Sequence, residues 1–124
     1  MDPLKEGIAA QLAGWAEEAM RLYRQAAEAA PLDSRPRHNL AGLLYGQKRA
    51  AEAESEFRAA AGLNPAEAAH HMGLGYALQM LGRFAEAEQA FREAQRLQPA
   101  HPEVKGALAF QLLAQGRLAE GFDL

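Results

Sequence analysis

Small, aromatic and proline residues return along this chain at a fixed spacing. Ala87, Phe91, Ala94 and Pro99 form one set; Ala53, Phe57, Ala60 and Pro65 form a second, and Ala19, Tyr23, Ala26 and Pro31 a third, each displaced by 34 residues. A period of that length is the mark of a repeat architecture. Between these sets a leucine recurs at an inner position, as Leu40, Leu74 and Leu108, with Glu6 in the corresponding place of the first unit. A polar residue there suits a terminal unit whose outer face meets water.

Punctuation residues divide each unit into two helices. Asp2-Pro3 opens the first, with a cap followed by proline at the first helical position, and it runs to Gly14. Trp15 to Ala30 is its partner, and Trp15, in the turn, is expected to pack. Asp33-Ser34 with Pro36 opens a helix that ends near Gly46, followed by one from Ala50 to Leu63. Lys48 stands where the other units have a turn glycine, so this turn is expected to differ by a residue or two. Asn64-Pro65 with Glu67 opens Ala68 to Leu81, and Phe84 to Leu97 follows. His101-Pro102 starts a further helix to about Gln115; Gly116 ends it, and Leu118 to Leu124 begin another. The i,i+4 pairs Glu54–Arg58 and Glu88–Arg92 mark a solvated face of the second helices.

The 34-residue period, with its small–x₃–aromatic–x₂–small–x₄–Pro second half, resembles the tetratricopeptide repeat. The third unit is nearest to the family pattern, with Leu74, Gly75, Gly82, Phe84, Ala87, Phe91, Ala94 and Pro99 in register. The family's tryptophan position is not kept; it holds Pro3, Arg37, His71 and Lys105. The resemblance implies an all-α fold: a right-handed superhelical solenoid of antiparallel helix pairs. One domain, 1–124, would hold repeats at about 1–33, 34–67 and 68–101 and an incomplete fourth at 102–124. Small residues (Ala41 or Gly75 against Ala53 or Ala87) let the two helices approach, and the aromatic one turn later fills the wedge. One such unit cannot bury its own apolar face, so stability comes from stacking.

Composition narrows the function. Net charge is −3, without the basic excess expected of a nucleic-acid binder, and there is no cysteine to supply a disulfide, a thiolate ligand or a thiol nucleophile. The start, MDPLKEG, is not a signal peptide, and no apolar run approaches the ~20 residues of a membrane-spanning helix. A soluble, cytoplasmic protein is the expectation. Of the four histidines, His70 and His71 are adjacent and point about 100° apart on a helix, so they do not converge on a metal. There is no glycine-rich phosphate loop, and the two serines, Ser34 and Ser55, make no hydrolase constellation. No catalytic residue, metal or cofactor is expected, and the chain is read as a non-enzyme.

In the family the first helices of the units line a concave groove that takes a peptide or a partner's helix. Carried onto this sequence, the groove positions are Arg35, His38, Asn39, Tyr45, Met72, Tyr76, Gln79, Met80, Phe110 and Leu113. Tyr45, Tyr76 and Phe110 would stack one per unit, with Met72 and Met80 between them. Aromatics and methionine are favoured at interface centres; the competing reading is that some of them are core. The cations of tail-clamping cochaperones are missing, with Ala69 and Gly73 in their places, and of the asparagine ladder of sugar-transferase repeats only Asn39 remains.

The expected function is therefore a non-catalytic scaffold that binds a protein or peptide. Two alternatives stand beside it. The segment GRLAEGFDL resembles the last unit of bacterial proteins in which such repeats precede a glycosyltransferase domain, so the chain could be the N-terminal region of a larger enzyme. It could also self-assemble: Leu118, Phe122 and Leu124 are candidate contacts for a second copy or a next domain, and the apolar sides of the fourth unit's first helix and the third unit's second are expected to stay exposed. Phe122 falls where earlier units place Met20, Glu54 and Glu88, read here as a mostly solvated position.

Overall fold

The computed structural model describes residues 2–117 and 120–121. Among them the chain forms seven helices and no strand: α1 (Pro3–Leu12), α2 (Ala16–Ala29), α3 (Arg35–Gly46), α4 (Ala50–Leu63), α5 (Ala68–Met80), α6 (Phe84–Leu97) and α7 (Pro102–Ala114). Each helix packs on its neighbours in the chain, and α3 also reaches α5. The result is a solenoid of helix hairpins, α1–α2, α3–α4 and α5–α6, with α7 opening a fourth. None of the described helices is long and apolar enough to cross a membrane.

The hairpins close on one contact. A β-carbon added at Gly75 would lie 2.5 Å from the Phe91 ring, and one at Gly7 2.7 Å from the Tyr23 ring. Both rings are fully buried. The aromatic of the second helix therefore sits on bare backbone of the first, and only glycine leaves room for it. The middle unit solves the same problem differently. It has Ala41 at the glycine's place, and the Phe57 ring lies instead over Gly73 of the next unit, where an added β-carbon would be 2.2 Å away. Phe57 thereby turns toward α5 and stands edge-on to His38, ring centroids 5.3 Å apart.

A second lattice joins the units through charge. Arg83, at the start of α6, reaches back to Glu54 of α4 at 2.7 Å, while Glu54 also holds Arg58 at 2.8 Å and Arg83 holds Glu86 at 2.7 Å. The same four places one period later repeat the arrangement: Arg117 and Arg92 both pair with Glu88, and Arg117 with Glu120. Glu54 and Glu88 are only 16% and 15% exposed. The solvated face expected for them is thus an inter-unit seam, because the arginine that follows each turn covers the glutamate of the preceding unit. The first member of the series, Met20, is buried, and Arg49 lies beside its sulfur at 3.9 Å. The position that Phe122 shares with these three residues is a contact position, not a solvated one; Phe122 itself lies outside the described residues, as do Leu118 and Leu124.

Three further expectations are corrected. Trp15 is 65% exposed. It stands where the later units place Arg49, Arg83 and Arg117, the residues that reach back over the preceding hairpin. The turn at Lys48 has the length of the others: Lys48 adopts φ 62°, beside Gly14 at 84°, Gly82 at 78° and Gly116 at 76°. The backbone closes the same way, with the Arg49 amide donating to Leu44 O as the Arg83 amide does to Leu78 O. The helix-ending geometry overrides the preference of a side chain for negative φ. Finally, the exposure expected for α6 and α7 falls on Phe84 and Phe110 and not on their inner sides: Val104, Leu108 and Leu112 are buried in the common core, as are Ala87, Ala90, Phe91 and Ala94 of α6.

Two substitutions test this packing in opposite directions. Gly75→Ala drives a methyl into the Phe91 ring and should cost about 1–3 kcal/mol. Lys48→Gly removes a left-handed conformation from a side-chain residue and should stabilise by about 0.5–1 kcal/mol, net of the extra freedom of the unfolded chain. Urea unfolding of both variants beside the parent is the measurement; equal midpoints for all three would contradict the assignment.

Candidate functional site

The first helices of the units, α3, α5 and α7, share one face, and a depression of about 420 Å³ lies between them. Its floor is apolar, formed by Phe57, Met72, Gly73 and Tyr76; its rim carries His38, Glu67, Gln98, His101 and Glu103. Phe57 reaches this floor because its ring lies over Gly73.

Apart from His38, which pairs with His70, the expected groove residues divide into three groups. Met72 is buried and belongs to the core; Tyr45 and Tyr76 are half-buried and pack against it. Their rings meet each other, centroids 6.3 Å apart, and Tyr76 stands edge-on to Phe91 at 5.3 Å. Two of the three aromatics expected to stack along the groove therefore do adjoin. The Tyr76 hydroxyl is pushed above its ordinary pKa by burial and then by the neighbouring Glu103 carboxylate. A second group is tied by polar contacts. Arg35 is exposed and held to Asp33 at 2.7 Å, and Gln79 donates to Gln111 at 2.8 Å. Gln111, fully buried, donates in turn toward the Phe84 carbonyl, which fixes α7 to α5 and α6. The third group is free to meet a partner: Phe110 is 64% and Met80 42% exposed, while Leu113 and Asn39 are half-buried.

One constellation escaped the sequence reading. His70 is buried, its Nδ1 2.9 Å from His38 Nδ1 and its Nε2 2.9 Å from Ser34 Oγ. Ser34, expected as a helix cap, makes no cap bond; the Arg35 amide is held by Asp33 Oδ1 instead, at 3.0 Å. The two facing imidazole nitrogens share one proton between them, and charging both rings would set N–H against N–H. Burial, then the neighbouring His38, lowers His70 to about 4, and burial lowers His38 as well. His71 points elsewhere, to the Pro65 carbonyl at 2.9 Å. No group of three or more metal-ligating side chains occurs among the described residues. The signal for the pair was present in the spacing. His38 to His70 and Gln79 to Gln111 are both separated by 32 residues, two short of the period, and that offset brings side chains of consecutive first helices face to face.

A solenoid of stacked helix hairpins with a groove along its first helices defines a helical-repeat scaffold. The sequence profile of the tetratricopeptide repeat matches residues 38–102 and 73–123, and the chain belongs to that family. Solved structures of similar shape include MamA of AMB-1, 28% identical, with a TM-score of 0.83 over 96% of this chain and 65% of that one. They also include the first tetratricopeptide domain of Spaghetti (RPAP3) bound to the HSP90 peptide SRMEEVD, 24% identical, TM-score 0.88, over 92% of this chain and 90% of that one. A third is the second such domain of human RPAP3 with the HSP70 peptide SGPTIEEVD, 22% identical, TM-score 0.84, over 89% and 92%. This chain thus spans just under two thirds of the AMB-1 MamA chain. No curated protein matches the sequence.

The histidine pair makes stability depend on pH. Between the ordinary value of 6.5 and about 4, the unfolded chain takes up a proton that folded His70 refuses. Stability is therefore complete above 6.5, falls as pH drops through that window, and levels off below it. From pH 7 to pH 5 the loss should be about 2 kcal/mol, and His70→Gln should remove most of it. Urea titrations of both proteins at the two pH values read this directly; an equal loss in the variant would remove His70 as the source.

Proposed function

We propose that this protein is a non-catalytic interaction scaffold that receives a peptide or helix of a partner protein along the face of α3, α5 and α7. The observation that carries this reading is the depression on that face. It is floored by aromatic and methionine side chains and has a volume within the range of ligand-binding clefts, and Phe110 and Met80 are exposed on the same first helices outside its lining. Two solved neighbours of the same fold were captured with peptides, SRMEEVD and SGPTIEEVD. The side chains of this groove hold no reactive arrangement: His38 is engaged with His70, which is bonded to Ser34, and His101 and the carboxylates lie on an open rim. Partner recognition here is a matter of shape and side-chain contact, with Phe110 as the exposed aromatic anchor.

Self-assembly is a second reading, and one observation favours it. Trp15 is exposed beside Ala9, Ala13 and Leu22 in an open depression of about 610 Å³ at the α1–α2 end, with Leu12 exposed nearby. In the repeat register Trp15 holds the place from which Arg83 and Arg117 grip the preceding unit, so a second copy could stack there end to end. A mass that rises with concentration in light scattering, and returns to that of a monomer in Trp15→Lys, supports it; a monomer throughout rejects it.

For the groove, peptides selected from a displayed random library against the whole protein are the probe. Phe110→Ser should weaken their binding at least about tenfold, or 1.4 kcal/mol, while the circular dichroism spectrum stays unchanged. Selected peptides that bind Phe110→Ser as tightly as the parent would place the binding surface elsewhere.

A further inference from the structure

The depression between α3, α5 and α7 has a charge that distinguishes it from a generic apolar groove. Two carboxylates stand on its rim, Glu67 at the N-cap of α5 and Glu103 in the first turn of α7, and no lysine or arginine lines it. Both are exposed, and among the described residues neither forms an ion pair. Asp2, Glu6, Glu17 and Glu28 are likewise without an arginine partner among the described residues, but none of them lines this depression. Glu18, Asp33, Glu52, Glu54, Glu56, Glu86, Glu88, Glu93 and Glu120 all hold an arginine.

From this we infer that the groove takes a basic segment of its partner, with a lysine or arginine side chain inserted between Glu67 and Glu103 over the rings of Phe57 and Tyr76. The inference rests on the groove reading above and adds the chemistry of the occupant. A cation over an aromatic face gains from the ring quadrupole as well as from the carboxylates, while its aliphatic stem lies against Met72 and Gly73.

Two features could have favoured an anion here, and both are offset. The first turns of α5 and α7 open toward the depression, and helix N-termini attract negative charge. Glu67, however, already accepts from the Ala69 amide, and Glu103 supplies the acidic side chain of the α7 first turn. Histidines could also have supplied positive charge. His38 and His70 are held neutral at pH 7 by burial and by their mutual contact. The preference is thus opposite to the acidic peptides SRMEEVD and SGPTIEEVD seen on the neighbouring folds. Those occupants would meet carboxylates in this depression.

A positional-scanning library of synthetic octapeptides, read by fluorescence anisotropy against the whole protein at 0.1 M and 0.5 M salt, tests the inference. Lysine or arginine at one position should bind about tenfold tighter than alanine there, and glutamate more weakly than alanine. The preference should shrink at high salt. In Glu67→Gln/Glu103→Gln it should fall below about threefold, with the melting temperature unchanged, since glutamine keeps the cap acceptor for Ala69. Binding without a charge preference, binding that favours glutamate, or a basic preference that persists in the double variant would each overturn the inference and leave the groove reading standing. A library in which no peptide binds would overturn both. SRMEEVD, run as a separate probe, should bind no better than its alanine-substituted form.

Discussion

The structure depends on the seating of an aromatic ring on bare backbone. Gly7 under Tyr23 and Gly75 under Phe91 let two helices of a hairpin close to a distance that any side chain would prevent. Once they close, the small residues Ala19, Ala53 and Ala87 are buried completely, and each hairpin presents an apolar side to the next. Stacking then buries what a single hairpin cannot. The unit that departs from this rule explains the site. With Ala41 in the glycine's place, Phe57 finds its seat on Gly73 one hairpin later, and in doing so becomes part of the groove floor. One methyl group on α3 and one missing on α5 thus connect the stacking of the solenoid to the surface it offers.

A second interaction sets how the units communicate. The four-residue charge lattice of Glu54, Arg58, Arg83 and Glu86 recurs one period on as Glu88, Arg92, Arg117 and Glu120. Its arginines and outer glutamates are half-exposed, so each pair contributes modestly, but the sharing of one covered glutamate by two arginines reduces the entropy lost per contact. Contacts of this kind join only neighbours. Stability along such an array is a sum of local terms, and the end units, with Met20 and Trp15 at the seam positions, differ from the middle ones.

The period made most of the fold legible in the sequence. Prolines and turn glycines place the helix ends to within a residue or two, and the glycine-and-aromatic register identifies the contacts inside each hairpin. Single-residue environments were less legible where they depend on the neighbouring unit. Trp15 is exposed, although tryptophan ordinarily packs; Glu54 and Glu88 are covered because an arginine 29 residues later folds back over each. Met72 is buried at the floor of the groove although its repeat position predicts an exposed contact. The His38–His70–Ser34 chain required knowing that consecutive first helices juxtapose residues 32 apart, which a period of 34 does not itself state.

In this account the first-helix face of the solenoid is its working surface, and the second-helix face is a structural seam. Peptide-induced changes in backbone amide NMR shifts separate the two most directly. Titrating the isotope-labelled protein with a lysine-containing octapeptide should move Ala69, Gly73, Tyr76 and Glu103, which line the groove, together with the exposed Phe110 of α7, and leave the amides of Glu54, Arg58, Glu88 and Arg92 in place. Shifts concentrated on the charge seam or at the Trp15 end, with the groove amides unmoved, would contradict it.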